Sequence, residues 1–500
     1  MANEFNRRSF LGTTVATSVV TIVPRHALGG AGHVAPNDKI TLGYIGMGTQ
    51  GFREIGALLE NPQVQIVSVC DPNTDSNDYV EWGKHGIRNL IRRYLGDPSW
   101  RANDDGCPGG REVGRAVVDG YYARERQTEK FKSCTAYADF REMFEQEKDL
   151  DAVKVMTPDH LHATIAIAAM NKGLHVVMHK PIANRLYEGR LVIETAQKTK
   201  AATHLLAYGS GRMNGLIAES IKAGAIGTLR EIHNWTNRPV WPQYSRIPTD
   251  TPPIPKGLDW DLWLGPAVDR PFHPHYTHTV FRGWYDFGGG SMADMGIYSL
   301  WPIFAALNLG VPESAQAWAT HACMIENNVS RTIPNDFSYP LACCLRFRFA
   351  AHNGMAPLDL FWYDGGMKPR LPVELEAYDV QMQREGILFV GDQATILAGF
   401  HGQSPRIFAK GKSKPFSVET QTDSGRIAKR QDHWLAEIQG SDPSPGSFLN
   451  AASITDTVNL GTVALRAGSK VMFDSDNMKI TNVADANKYL LREYRSGWEL

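Results

Sequence analysis

Six residues constrain this chain most. Gly46-Met47-Gly48-Thr49-Gln50-Gly51 directly follows the apolar run Ile40–Ile45 and opens a stretch, residues 52–60, with helical spacing. A glycine-rich turn between a strand and a helix has a specific use. Gly46 permits the tight turn, Gly48 lets the main chain approach a pyrophosphate, and Gly51 lets the helix pack close to the sheet, so that helix N-terminal amides face the phosphates. A second apolar run, Val64–Cys70, ends at Asp71, twenty residues past Gly51. A dinucleotide-binding unit carries its ribose acid at that place. An acid there accepts from a 2′-hydroxyl and repels a 2′-phosphate, which selects NAD over NADP.

The rest of the chain falls into two textures. From Asp139, which can cap a helix to about residue 147, strands at 152–156, 174–178 and 203–208 alternate with helices at 161–172 and 187–199. Such alternation indicates a parallel sheet covered on both faces. Residues 72–133, rich in Arg, Gly and Asp, read as an insertion. Beyond Gly209 a helix at 214–223 and a strand at 229–236 lead into a Pro- and Trp-rich stretch. Strands at 315–321, 341–350, 358–363, 387–390 and 394–398 then follow one another without helices between them. The expected fold is an α/β Rossmann dinucleotide-binding domain over 36–209, with the insertion at about 72–133. An α+β substrate domain with a large, mainly antiparallel or mixed sheet follows over 210–500.

Charge and cysteine content exclude several classes. Lys and Arg number 52 against 53 Asp and Glu, a net charge of −1, so no global field exists to hold nucleic acid or an anionic membrane. The six cysteines show no C-x-x-C pair and no zinc spacing, although isolated disulfides stay open. At the amino terminus, Arg7-Arg8 precedes a short apolar run over 11–24 and the small-residue stretch Ala27-Leu28-Gly29-Gly30-Ala31. Fourteen residues are too few to span a bilayer. The layout is that of a twin-arginine export signal over 1–31, which predicts a periplasmic protein without stable membrane association once the signal is cleaved.

Two further constellations carry chemistry. Thr157-Pro158 and His179-Lys180-Pro181 end successive strands, where open α/β sheets bind ligands. Asp294 and Tyr298 stand four residues apart after Gly288-Gly289-Gly290, so both project from one helical face. With the glycine turn, these residues resemble the Gfo/Idh/MocA oxidoreductases, which include glucose-fructose oxidoreductase, inositol dehydrogenase and NAD-dependent glycosidases. The resemblance covers essentially the whole chain after the export segment. Thr157, Pro158 and His162 match the family's T-P-N-x-x-H pattern, and Lys180-Pro181 matches its E-K-P motif. His179 takes the glutamate position, and Tyr298 stands where many relatives have histidine.

The resemblance implies a catalytic set of Lys180, which orients the reacting hydroxyl, Tyr298 as proton relay and Asp294 as a positioning acid. A tyrosine can serve as relay if a nearby ammonium lowers its pKa from ~10. Cofactor contacts are implied for Gly46, Met47, Gly48, Thr49, Gln50, Gly51, Asp71, Thr157, Pro158, His160, His162, His179 and Lys180. His160 and His162 equally suit capping or packing. The run containing His275, His278, Arg282 and Trp284 suits a carbohydrate, since aromatic faces pack on sugar C–H faces while polar groups take hydroxyls; Tyr298 belongs to the same expected substrate site. No H-E-x-x-H or cysteine partner supports a metal there. The expected activity is NAD-dependent hydride transfer at a ring carbon of a sugar or glycoside, with the cofactor held tightly. Redox-neutral glycoside cleavage through a transient 3-keto sugar is the alternative, and a non-catalytic sugar-binding protein is a third possibility. The C-terminal sheet is the expected surface for homo-oligomer formation.

Overall fold

The computed structural model describes residues 38–127, 131–352, 354–376, 378, 380–409, 412–417 and 431–500. The export segment with Arg7 and Arg8 lies outside the described residues. Strands β1 (Ile40–Ile45), β2 (Val64–Cys70), β5 (Thr135–Tyr137), β6 (Ala152–Val155), β7 (His175–Met178) and β8 (Thr203–Leu205) form one parallel sheet in the order β5-β2-β1-β6-β7-β8. The hairpin β3 (Ser76–Tyr79) and β4 (Cys107–Gly109) stands apart from it. Strand order reverses between β1 and β6. Both strands are buried along nearly their whole length, as central parallel strands must be.

The stretch 72–133 is more regular than its composition suggests. Besides the β3–β4 hairpin it holds the helices Gly86–Leu95 and Arg111–Glu125. The second packs on β2 and β5 and is the crossover that makes those neighbours parallel. Only the hairpin and the first helix are additions to the alternating plan.

The second half forms a ten-stranded mixed sheet. Its central strands Leu229–Trp235 and Leu358–Tyr363 run parallel, and the remaining pairings are antiparallel. Cys343–Phe349 shows the alternation that half-burial requires, with Cys343, Leu345, Phe347 and Phe349 turned to the core. The helix Ala452–Ala467 packs on this sheet and against the helix Leu186–Thr199 of the first half. Apolar residues of both halves, from Ile165 and Val176 to Ile232, Phe347 and Val458, therefore share one continuous core. The chain also returns to the first half near its end: Trp434 is fully buried in the cluster of β1 and β2 residues, and its indole donates to the Ala202 carbonyl at 2.9 Å. None of the six cysteines is paired. No helix among the described residues is long and apolar enough to cross a membrane.

Truncating Trp434 empties a fully enclosed site and removes a buried hydrogen bond. Trp434→Ala is expected to cost about 3–5 kcal/mol, read as a lowered denaturant midpoint; a shift within error would show that this helix is not part of the first domain's core.

Candidate active site

The site forms where β1 and β6 end, at the reversal of strand order. A cleft opens there, walled by Gly46, Gly48, Thr49, Gln50, Asp71, Thr157, Pro158, His179, His278 and Arg282 among others. The turn allows no side chain at two of its glycines. Gly46 has φ +99°, and a Cβ on it would meet the Met156 main chain at 2.6 Å; one on Gly51 would lie 2.3 Å from the Gly46 oxygen. Asp71 is buried and faces this turn, its carboxylate accepting from the Met47 amide at 2.7 Å and the Asn73 amide at 2.8 Å. Burial pushes its carboxyl up, and the two amides pull against that shift. Oδ2 retains a lone pair for a further donor, while Oδ1 also lies 3.5 Å from the Tyr79 hydroxyl. Across the cleft, the Thr157 hydroxyl is buried without a partner.

Those groups fit a dinucleotide. Asp71 offers acceptors to ribose hydroxyls, the start of the helix Thr49–Leu59 offers amides without intrahelical partners, and Thr157 offers a spare hydroxyl. The β3–β4 hairpin closes over the turn. Thr49 donates to the Val80 carbonyl at 2.7 Å, and the Tyr79 ring lies where a Cβ on Gly48 would come within 2.9 Å of it. Tyr79 also lies 4.0 Å from His278, ring centre to ring centre, while His278 reaches Asp78 at 3.2 Å. The insertion thus straps the glycine turn to the second half of the chain.

Deeper in, charges converge. Lys180 Nζ donates to Asp294 Oδ1 at 2.6 Å, with Lys180 only 3% exposed. Arg282 Nε lies 3.3 Å from the same oxygen, and Arg238 Nε lies 4.0 Å from Oδ2. Burial pushes the lysine down and Asp294 opposes it; burial would likewise raise Asp294, but Lys180 and then Arg282 hold its carboxyl below the usual range. Beside this pair the Tyr298 hydroxyl lies 3.2 Å from His179 Nε2, and Lys180 Nζ sits 5.0 Å from the Tyr298 ring centre. Burial, Lys180 and Arg282 together keep His179 neutral. Asp294 lies in a π-helical turn, Met292–Gly296, and Tyr298 in the helix that follows, Ile297–Leu307. Both face the end of β7.

Several expected contacts lie elsewhere. His160 is fully buried, its ring nitrogens 2.9 Å from the Trp263 oxygen and 3.3 Å from the Phe287 oxygen, so it ties loops together behind the cleft. His162 bridges the Pro181 and Thr157 oxygens at 2.5 and 3.0 Å and orients the two motif loops without facing the cleft. The Met47 side chain is buried beneath the turn. Trp284 is 1% exposed and donates to the His275 oxygen, and His275 stacks on Tyr244 at 3.9 Å, outside the cleft walls. An aromatic run reports composition, and facing depends on packing. Arg238, Asp78 and Tyr79 carry no motif, and their place became visible only in three dimensions.

The fold is that of a dinucleotide-binding domain joined to an α/β domain, with the site where the two meet. Residues 98–206 match the Gfo/Idh/MocA oxidoreductase family's NAD-binding Rossmann fold and residues 217–312 its C-terminal alpha/beta domain. The glycine turn and Asp71 precede the matched stretch. A glycosyl hydrolase family 109 protein of Shewanella putrefaciens is 20% identical over 220 residues, 43% of this chain and 39% of that protein. Levoglucosan dehydrogenase of Pseudarthrobacter phenanthrenivorans is 35% identical over 101 residues, 20% of this chain and 25% of that protein. The chain therefore spans well under half the length of these curated relatives. The WlbA dehydrogenase of Bordetella pertussis, solved with NADH and UDP-GlcNAcA, shares the fold with a TM-score of 0.51 at 14% identity, covering 88% of this chain and 99% of that one.

Asp71→Ala is expected to weaken NAD retention about 10- to 100-fold, because a ribose hydroxyl loses a charged acceptor, measured as nicotinamide content after purification and by calorimetry. Unchanged content would place the ribose elsewhere. A second expectation concerns pH. His179 is held neutral in the fold while an unfolded histidine binds a proton below about pH 6.5, so its contribution to stability is complete above that pH and is lost as pH falls. The melting temperature should drop from pH 7 to pH 5, and drop less in His179→Gln; parallel profiles would contradict a buried neutral imidazole.

Proposed function

We propose that this protein is a sugar or glycoside oxidoreductase that holds its NAD tightly. The observation that carries the reading is the meeting of the buried Lys180–Asp294 pair with the Tyr298–His179 pair, whose His179 lines the cleft behind the glycine turn. When bound, NAD supplies the hydride acceptor, and in a redox-neutral cycle the donor as well. The chain's own residues handle the proton and the geometry. Lys180, fixed by Asp294, would point one N–H at the reacting hydroxyl and steady the negative charge as its proton leaves. Tyr298 would pass that proton to neutral His179, whose position beside two cations disfavours keeping it and so favours onward release. The strap of Asp78 and Tyr79 supports tight cofactor retention.

Lys180→Ala should slow hydride transfer about 10²-fold or more while the cofactor stays bound, and Tyr298→Phe should lower kcat if it relays the proton but raise only KM if it packs. Single-turnover change in nicotinamide absorbance checks both; a Lys180→Ala protein reacting at the native rate would move the centre elsewhere. The names of the family 109 relatives favour a second reading, cleavage of a glycoside with no net redox change. Analysis of sugar products separates it from net oxidation, and both from a binder that changes neither.

Periplasmic export by the twin-arginine route is part of the same proposal, since a compartment without a free NAD pool requires a retained cofactor. Replacing Arg7 and Arg8 with lysines keeps the charge and should block export in cell fractionation; normal export would overturn the assignment.

A further inference from the structure

The deepest part of the site holds more cation than a neutral sugar calls for. Lys180 and Arg282 share one oxygen of Asp294, and Arg238 approaches the other at 4.0 Å. The neighbouring acid, Asp159, is buried and accepts from the Gly289 amide at 3.0 Å. Three cations thus face two carboxylates, Asp294 in direct ion pairs and Asp159 close enough to Arg282 and Lys180 to act on them through charge. Arg238 Nε is buried without a hydrogen-bond partner, and among the described residues no hydrogen bond leaves the terminal nitrogens of Arg238 or Arg282. Sugar hydroxyls need acceptors as well as donors, yet here the cationic donors outnumber the carboxylates. The dinucleotide phosphates do not account for the surplus, because they belong with the glycine turn, where Arg53 lines the wall.

Resting on the sugar oxidoreductase reading, we propose that the substrate is an anionic sugar, carrying a uronate carboxylate or a sulfate ester that Arg238 and Arg282 grip. A guanidinium fork matches such a group with two parallel N–H bonds, which a lysine cannot do. Lys180 stays free of this task and available to the reacting hydroxyl. Trp82, 55% exposed on the cleft wall and 5.7 Å from the Arg238 guanidinium, provides a flat apolar surface for the sugar ring beside the charged grip.

The test uses the full protein with its bound cofactor and a matched panel: methyl glucuronides and galacturonides, the corresponding methyl glucosides and galactosides, and glucose 6-sulfate. Nicotinamide absorbance gives kcat and KM, and quenching of bound NADH fluorescence gives binding without turnover. The anionic members should exceed their neutral partners in kcat/KM by about 10- to 100-fold, the range of a charge-assisted hydrogen bond. The carboxylate and sulfate arms decide between the two groups. Arg238→Met should collapse this preference through KM, Arg238→Lys should restore part of it, and both should purify with native NAD content. Equal kinetics for acid and neutral sugars, or a preference that survives Arg238→Met, would overturn the anionic assignment and leave the sugar reading intact. Loss of NAD in Arg238→Met would assign the arginine to the cofactor instead. A panel in which no sugar is bound or oxidised would overturn both readings.

Discussion

The buried ion pair between Lys180 and Asp294 is the contact on which the site depends. One partner ends β7 and the other sits in the π-helical turn beneath the ten-stranded sheet, so the pair fixes the two halves of the chain against each other at the reaction centre. Taking a lysine out of water disfavours its charge, and removing one member of a buried pair typically costs several kcal/mol because the other stays buried alone. The structure keeps the pair in register by a second, outer set of charges. Arg492, from the C-terminal tail, reaches Glu188 at 2.5 Å and also Asn184, just after the Lys180-Pro181 loop. Arg185 and Arg270 both meet Asp286, just before the glycines that lead to Asp294. Loops that would otherwise wander are bound on both sides of the catalytic pair.

What the sequence disclosed follows from what kind of constraint each residue meets. The glycine turn and Asp71 were legible because backbone geometry admits almost nothing else there: a Cβ at Gly46 or Gly51 collides with main chain. Strands such as Leu358–Tyr363 were legible from local pattern. The crossover helix Arg111–Glu125 was not, because its buried face is only Val113, Gly114, Val117, Val118 and Tyr122 amid charged residues. Trp434 was not, because its partner Ala202 lies 232 positions away. In the histidine- and tryptophan-rich run, residue type was right for a sugar site, yet Trp284 and His275 pack on Tyr244 while His278 and Arg282 face the cleft. Side-chain direction there is set by tertiary packing.

The departures from the family motif form a consistent pair. Histidine in place of the motif glutamate and tyrosine in place of the common histidine keep two hydrogen-bonded side chains together at 3.2 Å, so a proton path is retained. The exchange changes the charge. A glutamate at position 179 would add a carboxylate beside Lys180 and Arg282, whereas the buried imidazole is neutral. The centre is thereby one negative charge poorer than the motif prescribes: Asp294 makes the ion pairs with Lys180, Arg282 and Arg238, and buried Asp159 adds its charge near Arg282 and Lys180. With three cations against the two carboxylates Asp294 and Asp159, the centre keeps an excess of positive charge, which is what the proposed anionic substrate would meet. The same substitution that preserves the proton route leaves a place for negative charge on the ligand.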